Sequence, residues 1–270
     1  MKKELVIIKL GGSVITDKSR SRGIFRKKIV ARLVKEIVEA KNKRGFDLIL
    51  VHGAGSYANF LTTKYRIGEE FLGEKSIFGY ALIKRELFRL NNLVWNECLK
   101  GGLPVCTVQP SAVVFTHNGK IKSFDTKLIE ALLSWGMVPL LMGDDTIDER
   151  RGMAVLSGDV TLVYLARKFN ADRVIFVSDV EGVFDKNPKV NKNARLIKEI
   201  NNRNFREIIG SMETYNVNDA SGEMKGKLLA IKDSLGGFEV RIVGGFKKDV
   251  VRDVLLRINS GTRVFFQNSQ

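Results

Sequence analysis

The chain has 270 residues, 44% of them hydrophobic and 28% charged, the balance of a soluble globular protein large enough for a substantial core. Lysine plus arginine exceed aspartate plus glutamate by 45 to 30, and the resulting net charge of +15 draws anions, either phosphorylated metabolites or nucleic acid. No apolar run approaches about 18 residues, which argues against a membrane span, and no secretory leader precedes the strand-like start, so the expected location is the cytoplasm.

Taken in chain order, residues 4–10 (ELVIIKL) read as a buried strand and 25–45 as an amphipathic helix ending at Gly45. Residues 46–52 form a second apolar strand, closed by Gly53-Ala54-Gly55-Ser56, and 77–101 form a long helix stopped by Gly101-Gly102. A strand at 104–109 follows, then a hairpin at 112–124 with Asn118-Gly119 at its turn, and a helix at 125–135. A strand at 137–143 leads into a second hairpin or loop excursion at 144–156, a helix at 158–169 and a strand at 172–178. The last third adds helices at 222–235 and 247–257 and strands at 239–245 and 262–266.

Apolar strands alternating with helices predict an α/β fold with a mainly parallel central sheet. No linker or repeat divides the chain. A change near 143–157 marks the boundary expected between a lobe at 1–150 and a lobe at 151–270 of one continuous fold. Cys98 and Cys106 lack metal-ligand spacing and read as reduced thiols, so no metal site is expected from protein ligands. The basic residues are scattered through amphipathic helices without a zinc-finger, RNP or basic-zipper signature, which argues against nucleic acid as the partner.

Two glycine turns, Gly11-Gly12-Ser13 and Gly53-Ala54-Gly55-Ser56, fall at carboxyl ends of strands, where doubly wound sheets collect ligands. Glycine lets backbone N–H groups approach an anion closely. Neither turn matches the Walker pattern or G-x-G-x-x-G, and alone each is more often structural than functional. Lys9 and Lys18 flank the first turn. A lysine at a strand end is more often a snorkelling surface group, yet phosphoryl transfer needs chiefly positioning and positive charge. Ser157-Gly158-Asp159 opens a helix, where its plain role is an N-cap and its functional role is a carboxylate that holds two lysines.

Together the segments KLGGSVITDK, VHGAGS, LSGD, VSDVEGVFDKNP and NDASGEMKGKL, in this order, resemble the amino acid kinase superfamily, most of all its isopentenyl phosphate kinase branch. The resemblance spans nearly the whole chain. It implies an open αβα sandwich with an N-terminal acceptor lobe and a C-terminal ATP lobe, working with Mg²⁺ and assembled as a homodimer. It implies that Lys9, Lys18, Asp159 and Lys227 are the catalytic set, with Gly11, Gly12 and Ser13 at the transferring phosphate. Asp179, Gly182, Val183, Phe184 and Asp185 would line the nucleotide. Lys227 would reach the ATP phosphates, with Lys225 a rival because GEMKGK departs from the branch's TGGM-x-x-K pattern.

The same resemblance assigns Gly53, Ala54, Gly55, Ser56 and Gly158 to the acceptor pocket. There the branch reads GGGSFGH, and its final histidine binds the acceptor phosphate. This chain has Asn59 at that position, with Ala54 and Ala58 replacing two of the glycines. Asparagine offers an amide donor without charge. His52, at a strand end, reads as a packed structural group, and Phe60, Phe71, Phe78 and Tyr80 read as the rest of the acceptor site. The expected activity is therefore ATP-dependent phosphorylation of a small phosphorylated acceptor, isopentenyl phosphate first. Another phosphate, a phosphonate or a hydroxyl compound, and a nucleotide sensor without catalysis, are the alternatives.

Overall fold

The computed structural model describes residues 3–17, 23–69, 71–213, 221–233 and 238–266. Strand β1 (Leu5–Leu10) is buried throughout and runs into the single turn α1 (Gly12–Ile15) and a short ribbon, β2 (Thr16–Asp17) with β3 (Ile24–Phe25). Helix α2 (Lys27–Arg44) keeps Lys41, Lys43 and Arg44 in its last turn, where the helix dipole favours cations, and stops as Gly45 turns left-handed at φ 63°. Strand β4 (Asp47–His52) is followed by α3 (Gly55–Tyr65) and α4 (Glu74–Lys100), which pack on each other.

Next come β5 (Val105–Thr107), the turn α5 (Pro110–Val113), the hairpin β6 (Val114–His117) and β7 (Lys120–Phe124), α6 (Lys127–Ser134) and β8 (Val138–Met142). The hairpin β9 (Asp144–Asp148) and β10 (Gly152–Leu156) leads to α7 (Gly158–Lys168) and β11 (Arg173–Ser178). The remaining elements are β12 (Val183–Phe184), β13 (Leu196–Ile197), β14 (Glu199–Ile200), α8 (Phe205–Glu213) and α9 (Ser221–Asp233). After them come β15 (Glu239–Gly244), α10 (Val250–Leu255) and β16 (Thr262–Val264).

Eight strands form one sheet in the order β14–β16–β15–β11–β1–β4–β8–β5, parallel at every pair except β15–β16. β1 lies at the centre, with β4 on one side and β11 on the other. Such a reversal of strand order opens a crevice at the carboxyl ends of the strands. The strand alternation divides the side chains between two cores. Leu5 and Ile7 pack with α6, α7, α8 and α9, while Val6, Ile8 and Leu10 pack with α2, α4 and α10. The expected αβα sandwich follows directly from that division.

The second hairpin joins the first in a separate sheet of order β10–β9–β6–β7. One buried carboxylate, Asp148, ties both hairpins together by accepting backbone N–H groups of Asn118, Gly119, Arg150 and Arg151 at 2.8–3.1 Å. Several elements differ from the sequence reading: α4 begins at Glu74 rather than 77, and the helices α3 and α8 are additional to it. Helix α10 begins at Val250 rather than 247, because Asp249 adopts φ 65° and ends the turn before it. Helix α3 was not foreseen, since its Asn and Thr residues are weak helix formers and tertiary packing on α4 holds it. Among the described residues no helix is long and apolar enough to cross a membrane.

Candidate active site

The odd positions of β1 face α7, so Lys9, two residues beyond Ile7, is directed at the first turn of that helix. There its Nζ lies 2.6 Å from Asp159 Oδ1. Lys227, on α9, reaches the same oxygen at 2.7 Å and stacks 4.6 Å from the Phe176 ring centroid. Both lysines are only 8% exposed. Burial pushes the Asp159 carboxyl up, but the Lys9 and Lys227 ammonium groups outweigh it and hold the group below its ordinary value. Ser157 caps α7 by accepting the Val160 N–H at 3.2 Å, which leaves Asp159 in the first turn at the positive end of the helix.

The two glycine turns meet backbone to backbone. A Cβ on Gly12 would lie 2.5 Å from the Gly55 nitrogen, and one on Gly53 would lie 2.5 Å from the Gly12 nitrogen. Gly158 is similarly confined, because a Cβ there would stand 3.2 Å from Lys9 Cε. These turns, with Lys9, Asp159 and Lys227, line one cavity of about 690 Å³, within the size range of small-molecule sites.

The cavity is lined on one side by residues that include Ser178, Asp179, Gly182, Phe184 and Met224, expected from the sequence to face a nucleotide, and on another by residues that include Ala54, Ala58 and Asn59, expected to face an acceptor. Gly11, Gly12, Ser13, Gly53, Gly55 and Gly158 also border it. Four sequence-predicted residues stand elsewhere. Ser56 donates its hydroxyl to the Asp17 carbonyl at 2.8 Å and does not line the cavity. Val183 is buried in the core, while Asp185 accepts the Arg195 N–H at 2.8 Å. Lys225 is not among the lining residues, whereas Lys227 is. Lys18 lies outside the described residues.

His52 is fully buried, with Nδ1 3.0 Å from the Gly53 carbonyl and Nε2 3.1 Å from Asn91 Oδ1, and burial lowers its pKa. It is a structural group, as expected. Phe60, Phe71 and Phe78 are exposed, and neither they nor Tyr80 border the cavity, in contrast to the sequence reading.

The sequence reading missed a polar cluster in the cavity wall. Asp144 and Asp145 line the cavity, and Lys84 of α4 bonds to Asp144 Oδ1 and to the Asp145 main-chain oxygen. The signal was present, because Gly143-Asp144 follows β8 at the same carboxyl edge as the glycine turns. Burial, with a smaller contribution from Asp144, pushes the Asp145 carboxyl up to about 7 against the opposing Lys84 charge. A carboxyl that titrates near 7 folded and near 3.8 unfolded binds more protons in the fold between those values, so its contribution to stability falls as pH rises across that interval. Asp145→Asn should therefore gain on the parent by about 2–3 kcal/mol between pH 5 and pH 8, read from urea midpoints. A gap that does not change with pH would refute the assignment.

No group of three His, Cys, Asp or Glu residues that could hold a metal occurs among the described residues. A magnesium ion here would be held through nucleotide phosphates and its own waters.

Residues 4–244 match the model of the amino acid kinase family. The chain is 36% identical over 231 residues to isopentenyl phosphate kinase of Methanothermobacter thermautotrophicus, covering 83% of this chain and 84% of that one. It is 32% identical to the Methanocaldococcus jannaschii isopentenyl phosphate kinase, across 97% of this chain and 99% of that protein. A crystal structure of an isopentenyl phosphate kinase superposes with a TM-score of 0.82 at 32% identity, over 97% of this chain and all of that one. The motif order, the sandwich and these likenesses agree: this chain belongs to the amino acid kinase family.

Proposed function

We propose that this protein transfers the γ-phosphoryl group of ATP to isopentenyl phosphate, giving isopentenyl diphosphate and ADP. The observation that carries the reading is the pair of ammonium groups, Lys9 and Lys227, sharing Asp159 Oδ1 in a cavity walled by two glycine turns. An acceptor phosphate oxygen forms a bond to the γ-phosphorus as the bond to the β-phosphate bridging oxygen breaks. The acceptor phosphate is already ionised, so the step needs no general base. Lys9, Lys227 and the N–H groups of Gly12 and Ser13 take up the charge that spreads over the phosphoryl oxygens, while the Gly11 N–H is donated to the Val177 carbonyl at 2.8 Å. Asp159 positions both lysines. When bound, Mg²⁺ on the nucleotide neutralises further charge.

The reading places the acceptor in the lobe formed by residues 1–150 and ATP in residues 151–270. In support, β1, β4, β5 and β8 fill one half of the sheet and β11, β14, β15 and β16 the other. A homodimer in the cytoplasm completes it, on the family resemblance. The test is ADP release from Mg-ATP with isopentenyl phosphate, comparing the protein with its Asn59→His variant. Both should turn over, and the histidine should lower KM by roughly tenfold by restoring a charge-assisted hydrogen bond. ADP release no higher than with ATP alone, in both proteins, would overturn the proposal.

A further inference from the structure

Where the cavity is bordered by α3, α4 and the β9–β10 hairpin, Ala58, Leu87 and Val155 present apolar walls, and Asp145 stands among them. Asp145 is the cross-strand partner of Val155, so both side chains emerge on one face of the hairpin. It is 3% exposed, and its Oδ2 has no hydrogen-bond partner. The groups nearest to it are directed elsewhere. Lys84 donates to Asp144 and to the Asp145 main chain, and the Tyr80 hydroxyl donates to the same main-chain oxygen at 3.1 Å.

A buried carboxylate oxygen without a donor is costly, and such atoms in folded proteins are normally satisfied. One that lines a ligand cavity is satisfied when the ligand brings the donor. The isopentenyl chain is a pure hydrocarbon and brings none. Against such a chain Asp145 Oδ2 remains unsatisfied.

We propose that Asp145 is a specificity-determining residue which accepts a hydrogen bond from a hydroxyl on the acceptor's carbon chain, so that the pocket favours a hydroxylated short-chain monophosphate over isopentenyl phosphate. The inference rests on the kinase reading above. It adds the chemistry of the acceptor's tail, opposite the end where phosphoryl transfer occurs. Asp145 acts on substrate choice and takes no part in the transfer.

The test compares two acceptors that differ by one water added across the double bond, isopentenyl phosphate and 3-hydroxy-3-methylbutyl phosphate. The unaltered protein should favour the hydroxylated acceptor by about tenfold or more in kcat/KM, because a site built to bond a hydroxyl discriminates strongly against the analogue lacking it. Asp145→Val should improve kcat/KM for isopentenyl phosphate and cancel or reverse the preference. Asp145→Asn keeps a carbonyl acceptor and should retain part of it, which a merely structural role would not predict. Should the valine variant fail to fold, the ratio in the unaltered protein and in Asp145→Asn decides the matter. Turnover of isopentenyl phosphate with a ratio at or below one in the unaltered protein overturns the inference and leaves the kinase reading standing. So does a ratio that is the same in all three proteins. Absence of turnover with both acceptors overturns the kinase reading and the inference together.

Discussion

Changing Asp159 to asparagine lowers kcat by about 10²–10³ and destabilises the fold by about 3–5 kcal/mol, the loss usual when one partner of a buried ion pair is removed. Two ammonium groups converge on one oxygen at 2.6 and 2.7 Å, so the amide leaves two buried cations facing each other with one neutral acceptor between them. On the kinase reading proposed above, that geometry pre-positions both charges for the phosphoryl oxygens. Lys9→Met should lower kcat to a similar degree. The double variant Lys9→Met with Asp159→Asn should be scarcely slower than either single one, because a carboxylate that orients lysines has less to do once one of them is gone. Single-turnover rates and thermal melts together read both effects. An Asp159→Asn protein that keeps kcat within a factor of about three would remove Asp159 from the catalytic machinery.

Gly12→Ala and Gly53→Ala should each lower kcat/KM by about 10² and cost about 2 kcal/mol or more, since each methyl group would enter a neighbouring backbone rather than a side chain that can move. The obstructing atoms are the nitrogen and Cα of Gly55 for Gly12, and those of Gly12 for Gly53. Pushing the two turns apart shifts the backbone N–H groups that would hold phosphate, and small displacements of positioning groups are costly in rate. Gly210→Ala supplies the contrast. Gly210 is an exposed position within α8, and a Cβ there meets nothing within 4 Å. That substitution should raise stability by about 0.5–1 kcal/mol through helix propensity and leave turnover unchanged. If the three alanine variants behaved alike, the interlocking of the turns would have no functional weight.

On the proposed reading, Asn59 and Asp145 set the acceptor end of the cavity apart from the nucleotide end. The first, which the family resemblance aligns with a phosphate-binding histidine, is exposed on α3 and lines the cavity. The second places an unsatisfied carboxylate among apolar walls. On the readings proposed above, the Lys9–Asp159–Lys227 arrangement and the glycine turns would serve any phosphoryl donor and acceptor, whereas these two residues would select the acceptor. The variants proposed at 59 and 145 therefore bear on substrate choice, while those at 12, 53 and 159 bear on transfer itself.

The sequence by itself determined the alternation of strands and helices, the α/β class with a mainly parallel sheet, both glycine turns and the lysines at their edges. These features are legible because strand burial, helix period and turn chemistry are properties of neighbouring residues. Even the direction of Lys9 follows from counting along β1, where every second residue faces α7. Only the tertiary structure decided that Lys9 and Lys227, 218 positions apart, share one oxygen of Asp159, and that Lys227 rather than Lys225 lines the cavity. It likewise withdrew Ser56 into a bond with Asp17 and brought Lys84 of α4 against Asp144 at the end of β8. Such pairings depend on how the order of strands in the sheet carries distant segments to one edge, and on packing between helices. Neither is encoded in any local stretch of residues, which is why Asp145 became visible as a site only once the cavity around it was in place.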